Sequence, residues 1–180
     1  MTTYAEICEA FREQLPRRLA LNKAIAELPL RLRNAVDAEL SPPNRHANFL
    51  SQMHGRDIPV VYLARPHPDD RGQNKYAPCS VEDALFRDYD GVLHFGLGLA
   101  VEGPDMAPYM LHWLIALENI TEDVVTLKIV GAPGTVDIRI GDADSLAAAA
   151  QRICEWMIAL QSDVSASLGD SAPIGFRGQR

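Results

Sequence analysis

By residue type and spacing, the stretch best suited to chemistry is Arg65-Pro66-His67-Pro68-Asp69-Asp70. One imidazole and two carboxylates within four positions form a donor set suited to zinc or another divalent metal, since imidazole nitrogen and carboxylate oxygen both serve such ions. The stretch directly follows Ile58 to Ala64, a short apolar run with valines and a tyrosine that predicts a strand. Donors at the mouth of a strand make His67, Asp69 and Asp70 the candidate catalytic and metal-ligating residues of a small metal-dependent hydrolase. The plainer alternative is a polar turn. From Arg65 to Ser80 the chain is Pro, Asp, Gly, Asn and Lys with almost nothing to bury, which is the composition of a long exposed loop.

His67-Pro68-Asp69-Asp70 resembles the first metal motif of the LmbE-like zinc deacetylases, which remove acetyl groups from amino sugars. The resemblance covers four residues of 180 and implies a zinc site. It has departures: Arg71 stands where that family usually has Glu, and no His-x-x-His pair follows. The family also sets its motif at the end of the first strand of a parallel sheet, whereas helices precede the motif here and an antiparallel meander follows.

Other reactive groups are scattered. His94 and His112 fall on the side of their strands opposite the large apolar row, several residues out of register, and read as half-exposed sheet residues. Cys79 has only Lys75 nearby to lower its thiol pKa. Cys8, Cys79 and Cys154 are widely spaced and lack a CxxC, which fits neither a disulfide framework nor a zinc ribbon. The chain has no Gly-x-Ser-x-Gly elbow, phosphate-binding glycine loop or dinucleotide fingerprint. Gly96 and Gly98 lie within a strand pattern, where a glycine marks close approach of another group.

Composition narrows the function classes. A net charge of −7 argues against a generic nucleic-acid surface, and Arg12, Arg17, Arg18, Lys23, Arg31 and Arg33 recur across helical turns as a solvated face. Arginine far outnumbers lysine, as in GC-rich bacterial genomes. No apolar run is long enough to span a bilayer, and Met1 to Glu6 has neither the basic nor the apolar region of a signal peptide. The expectation is a cytoplasmic protein without membrane contact.

The elements that would position these residues are clearest from Gly91 to Ile140. Leu93, Phe95, Leu97, Leu99 and Val101 alternate with small or polar residues, and Leu111, Trp113, Ile115 and Leu117 repeat the pattern. Val124 to Val130 and Val136 to Ile140 add two strands around Gly131-Ala132-Pro133-Gly134. These connections are too short for crossover helices and predict an antiparallel meander of about four or five strands. Thr3 and Glu6 make a capping box, with Ile7, Phe11 and Leu15 at helical spacing behind it. Pro16 and Pro29 predict a helix broken into pieces. A short helix should end at Gly55, and another is expected over 81–89. Leu146, Ala149, Ala150, Ile153, Met157 and Leu160 mark a strong amphipathic helix on the meander's apolar face.

The fold class expected is α+β, with residues 1–164 as one domain and 165–180 as a flexible tail. N-terminal helices covering the second sheet face would make three layers. With no complete catalytic motif, the function expected is a non-catalytic interaction module of adaptor, immunity-protein or chaperone type. It would bind another protein, or form a homodimer, through a sheet edge or the C-terminal region. There Ile174, Phe176 and Arg177 are the candidate partner-binding residues.

Overall fold

The structure, a computed structural model, describes residues 3–43, 46–66, 76–102 and 108–162. Its first element is a single helix, α1 (Tyr4–Leu40), that runs through both Pro16 and Pro29. The capping box forms as expected: the Thr3 amide donates to Glu6 Oε2 at 2.7 Å, and the Glu6 amide donates to Thr3 Oγ1 at 3.3 Å. The helix ends at Ser41, whose left-handed backbone (φ 43°) lets its amide donate to Asp37 O. The expected break at the prolines is therefore corrected. Each interior proline costs a helix about 3 kcal/mol. At Pro29 burial in the core offsets that cost, whereas Pro16 is exposed.

A short helix, α2 (Asn48–His54), stops at Gly55 with φ 64°, a conformation glycine reaches without a Cβ clash. Strand β1 (Val61–Pro66) and strand β2 (Tyr76–Pro78) pair antiparallel, so part of the expected Arg65 to Ser80 loop is hairpin. Helix α3 (Val81–Ala84) is one turn long and gives way to β3 (Phe86–Arg87), where a longer helix was expected. Then come β4 (Leu93–Glu102), β5 (Pro108–Ile120), β6 (Val124–Ile129), β7 (Val136–Arg139) and α4 (Ala143–Ser162).

Among the described residues the sheet has seven strands, more than the four or five expected. Its order is β2-β1-β4-β5-β6-β7, with β3 also paired to β4 and every pairing antiparallel. The meander from β4 to β7 follows the sequence pattern. Beside it lies the expected strand β1, whose Val61 to Ala64 aligns with Leu99 to Gly96, and the short β2 and β3 bring the number to seven.

Both long helices pack on the same sheet face. Ile25, Leu28, Leu32 and Val36 of α1 and Ala149, Ala150, Ile153, Trp156 and Met157 of α4 join Leu63, Phe95, Leu97, Trp113, Ile115 and Leu127 in one core. The expectation that N-terminal helices cover the second face is thereby corrected for α1. An apolar stripe needs a partner, and the large-residue face of the sheet is wide enough to take both helices side by side. The second face is covered at one end by α2, through Ala47, Phe49 and Leu50 against Tyr62, Ala64, Ala100 and Met110. Backbone bonds hold α2 there: the Ala47 amide donates to Ile58 O, and the Ile58 amide donates to Ser51 Oγ, each at 2.9 Å.

Candidate functional site

His112 and Cys79 each lie in a polar place among the described residues, and one apolar place there has the exposure of a contact surface. The first polar place is the covered end of the second face. Strand register aligns Tyr62 with Gly98 and Gly98 with His112. A Cβ on Gly98 would overlap the Tyr62 ring, so the glycine makes room for that ring to cross β4 and reach β5. There the Tyr62 hydroxyl and His112 Nε2 share a hydrogen bond of 2.9 Å, and Tyr76 stacks on the imidazole at 5.3 Å. Burial pushes the His112 pKa down to about 4 and raises the Tyr62 phenol well above its ordinary value. Both groups are neutral near pH 7, and the arrangement is a satisfied polar pair inside an apolar cluster.

His94 lies on the same face beside Ala116, with its ring stacked on Phe86 at 5.9 Å. Its Nδ1 is 3.1 Å from Val92 O and 3.7 Å from Asp88 Oδ2. The Val92 carbonyl, an acceptor at that nitrogen, favours the tautomer with the proton on Nδ1. The structure does not bring His94 and His112 together, and it buries both, correcting their reading as half-exposed. His94 is covered by Phe86 of the adjacent β3, and His112 by Tyr62 and Tyr76 from strands distant in sequence.

The second polar place is a shallow recess of 560 Å³ beside β2, lined by Arg56, Arg65, Pro66, Cys79, Ser80 and Asp83 among others. It holds a thiol and two guanidinium groups. Yet Arg56 donates to Pro78 O at 2.9 Å, and Ser80 Oγ donates to Asp83 Oδ2 at 2.9 Å. Burial and then the Asp83 charge push the Cys79 thiol up to about 11, against the opposing pull of Arg65 and Arg56. A thiol that keeps its proton near pH 7 is a poor nucleophile.

His67, Asp69 and Asp70 lie outside the described residues, as do Ile174, Phe176 and Arg177. Among the described residues no three His, Cys, Asp or Glu side chains group to hold a metal ion. No helix of the described residues is long and apolar enough to cross a membrane. The outermost strands of the sheet path, β2 and β7, are three and four residues long and offer little backbone for a partner strand.

The apolar place is the first half of α1. Residues 3–20 are exposed apart from half-buried Cys8, so about 25 Å of helix stands clear of the domain at 1.5 Å per residue. Tyr4 is 83% exposed, Ile7 58%, Phe11 55%, Leu15 38% and Leu19 59%. They recur at three- and four-residue spacing and so share one side of the helix. Tyr4, Cys8, Phe11, Leu15, Arg18, Asn22, Ile25, Pro29, Leu32 and Val36 follow an unbroken four-three alternation, and its last four members are buried in the core. Sequence reasoning that stopped the helix at Pro16 missed this surface; the repeat running across both prolines was the signal that could have found it.

Comparison with known proteins finds no family model that matches the chain, no similar curated protein and no similar solved structure.

Proposed function

We propose that this chain works by binding protein, with the exposed first half of α1 as its contact element. The observation that carries this reading is an apolar helical stripe that is core in its second half and open in its first. Scattered exposed apolar residues are ordinary on a protein surface, but five large ones along one side of one projecting helix form a surface suited to a partner. Helix-in-groove and helix-on-helix recognition both use anchors at this spacing. The two polar places support the same reading, since His112 is held neutral within its cluster and the Cys79 thiol keeps its proton.

The test is native mass spectrometry and gel filtration of the chain from its own host, beside the double variant Phe11→Glu, Leu15→Glu. Wild type is expected in an assembly above monomer mass, and the variant at monomer mass with its circular dichroism unchanged. Wild type and variant running with the same mass distribution would overturn the proposal.

A further inference from the structure

We infer that the recess beside β2 binds a small phosphate monoester, with its phosphoryl group between the guanidinium groups of Arg56 and Arg65; this goes beyond the α1 contact and does not depend on it. Register places one of these groups. Arg65 pairs with Ala77 across the hairpin of β1 and β2, and a period of two puts Leu63, Arg65, Ala77 and Cys79 on one sheet face. Leu63 and Cys79 pack in the core there, whereas Arg65 is exposed and lines the recess opposite the small side chain of Ala77. Arg56 arrives from the connection between α2 and β1, and its Nη2 donates to Pro78 O at 2.9 Å. That bond holds the guanidinium at the end of β2 and leaves its other N–H donors for a ligand.

Charge gives the second reason. Among the described residues neither Arg56 nor Arg65 is in an ion pair with a carboxylate. Asp83, the carboxylate that lines the recess, already accepts from Ser80 Oγ at 2.9 Å. Both guanidinium charges reach the Cys79 thiol, yet burial and Asp83 keep that thiol protonated. No thiolate therefore neutralises the arginines, and two uncommitted positive groups in one recess favour an anion from outside. Their shape decides its chemistry. A single guanidinium fork saturates the two oxygens of a carboxylate, whereas forks from two elements suit the three outer oxygens of a phosphoryl group.

Space gives the third. At 560 Å³ the recess falls within the range of about 300–1,000 Å³ usual for small-molecule sites. Arg56, Pro78, Cys79 and Ser80 also line an adjoining recess of 160 Å³, whose walls include Leu30, Val81, Arg33 and Asp57. Leu30 and Val81 offer the ester's organic group an apolar surface. Together the two recesses set Arg33, Arg56 and Arg65 against Asp57 and Asp83, a balance of +1 on a chain that sums to −7.

The experiment titrates the purified, nitrogen-labelled full chain with phenyl phosphate, inorganic phosphate and benzoate at constant ionic strength, followed by NMR. Saturable shifts are expected at Arg56, Arg65, Cys79 and Ser80, with phenyl phosphate the tightest of the three. Arg65→Gln removes one fork and no bond among the described residues, and should weaken phenyl phosphate by on the order of tenfold while the rest of the spectrum stays in place. Asp83→Asn keeps an oxygen for Ser80, removes the opposing charge and should tighten phenyl phosphate by roughly threefold, a gain that a merely structural role would not produce. Benzoate binding as tightly as phenyl phosphate would overturn the phosphoryl assignment, and inorganic phosphate binding as tightly would overturn the ester. Shifts that grow linearly without saturating, or that match in wild type and Arg65→Gln, would overturn the site. None of these outcomes bears on the α1 contact, which is read from assembly mass.

Discussion

The two halves of α1 share one helix and one four-three repeat, yet one half is core and the other is surface. From Ile25 to Val36 the stripe meets Leu63, Phe95, Trp113 and the α4 side chains Ile153 and Met157. From Tyr4 to Leu19 a stripe of similar residues is exposed. The difference lies in what stands opposite. The sheet and α4 are long enough to cover one half of the helix, and the other half extends past them. Amphipathic periodicity therefore reports that a stripe needs a partner, and the fold decides whether the same chain supplies it.

Truncating one side chain in each half should separate them most sharply. Leu32 is fully buried, and Leu32→Ala is expected to lower unfolding free energy by about 2–5 kcal/mol through lost transfer energy and the cavity left behind. Phe11→Ala, measured by urea unfolding at a concentration where the chain is monomeric, should change it by less than about 0.5 kcal/mol. Equal losses at the two positions would mean that residues 4–20 pack within their own chain, and the contrast would fail.

A drop in pH should destabilise the packed half together with the sheet. His112 has a folded pKa near 4 against an ordinary 6.5, so above pH 6.5 it is neutral in both states and contributes no pH dependence. Between pH 6.5 and 4 the unfolded chain takes up a proton that the folded chain excludes, and stability falls. The gap corresponds to about 3 kcal/mol at most, developed by pH 4 and flat below it. Urea midpoints at pH 7 and pH 4.5 for wild type and His112→Phe would check this. The variant should lose less stability between the two pH values, because carboxylate titration is common to both proteins and cancels in the comparison. Matching slopes would remove His112 as the cause.

Much of this arrangement was legible in the residues. The alternation in β4 and β5, the turns around Gly131 and Gly134, and the Leu146 to Leu160 stripe of α4 are local patterns, and each became the expected element. What the sequence concealed depended on distant partners. The β1 to β4 pairing joins Val61 to Leu99 with no local mark, and it enlarged the sheet. Burial of His112 depends on rings at Tyr62 and Tyr76. Gly98 was legible as a place of close approach, though not as room for the Tyr62 ring. The prolines misled because their cost is local while the burial that offsets it at Pro29 is not. Of the candidate site, the Ile7, Phe11 and Leu15 spacing was visible, but its exposure was not, since periodicity alone cannot distinguish an inward face from an outward one.

The smallest expected effect lies at the tip of the open half. Thr3 and Glu6 satisfy two amides that the first turn of α1 would otherwise leave unpaired, and residues 4–20, Cys8 apart, are exposed among the described residues, with little packing to compensate for their loss. Thr3→Ala should cost about 1 kcal/mol, confined to that end. Amide exchange across the first two turns is then expected to speed up by roughly fivefold. The urea midpoint, set by the packed half and the sheet, should stay where it is. A midpoint that fell with the exchange would show the two halves unfolding as one unit. Faster exchange at an unchanged midpoint would show that order in the open half is local, and that a partner on its stripe could raise it independently.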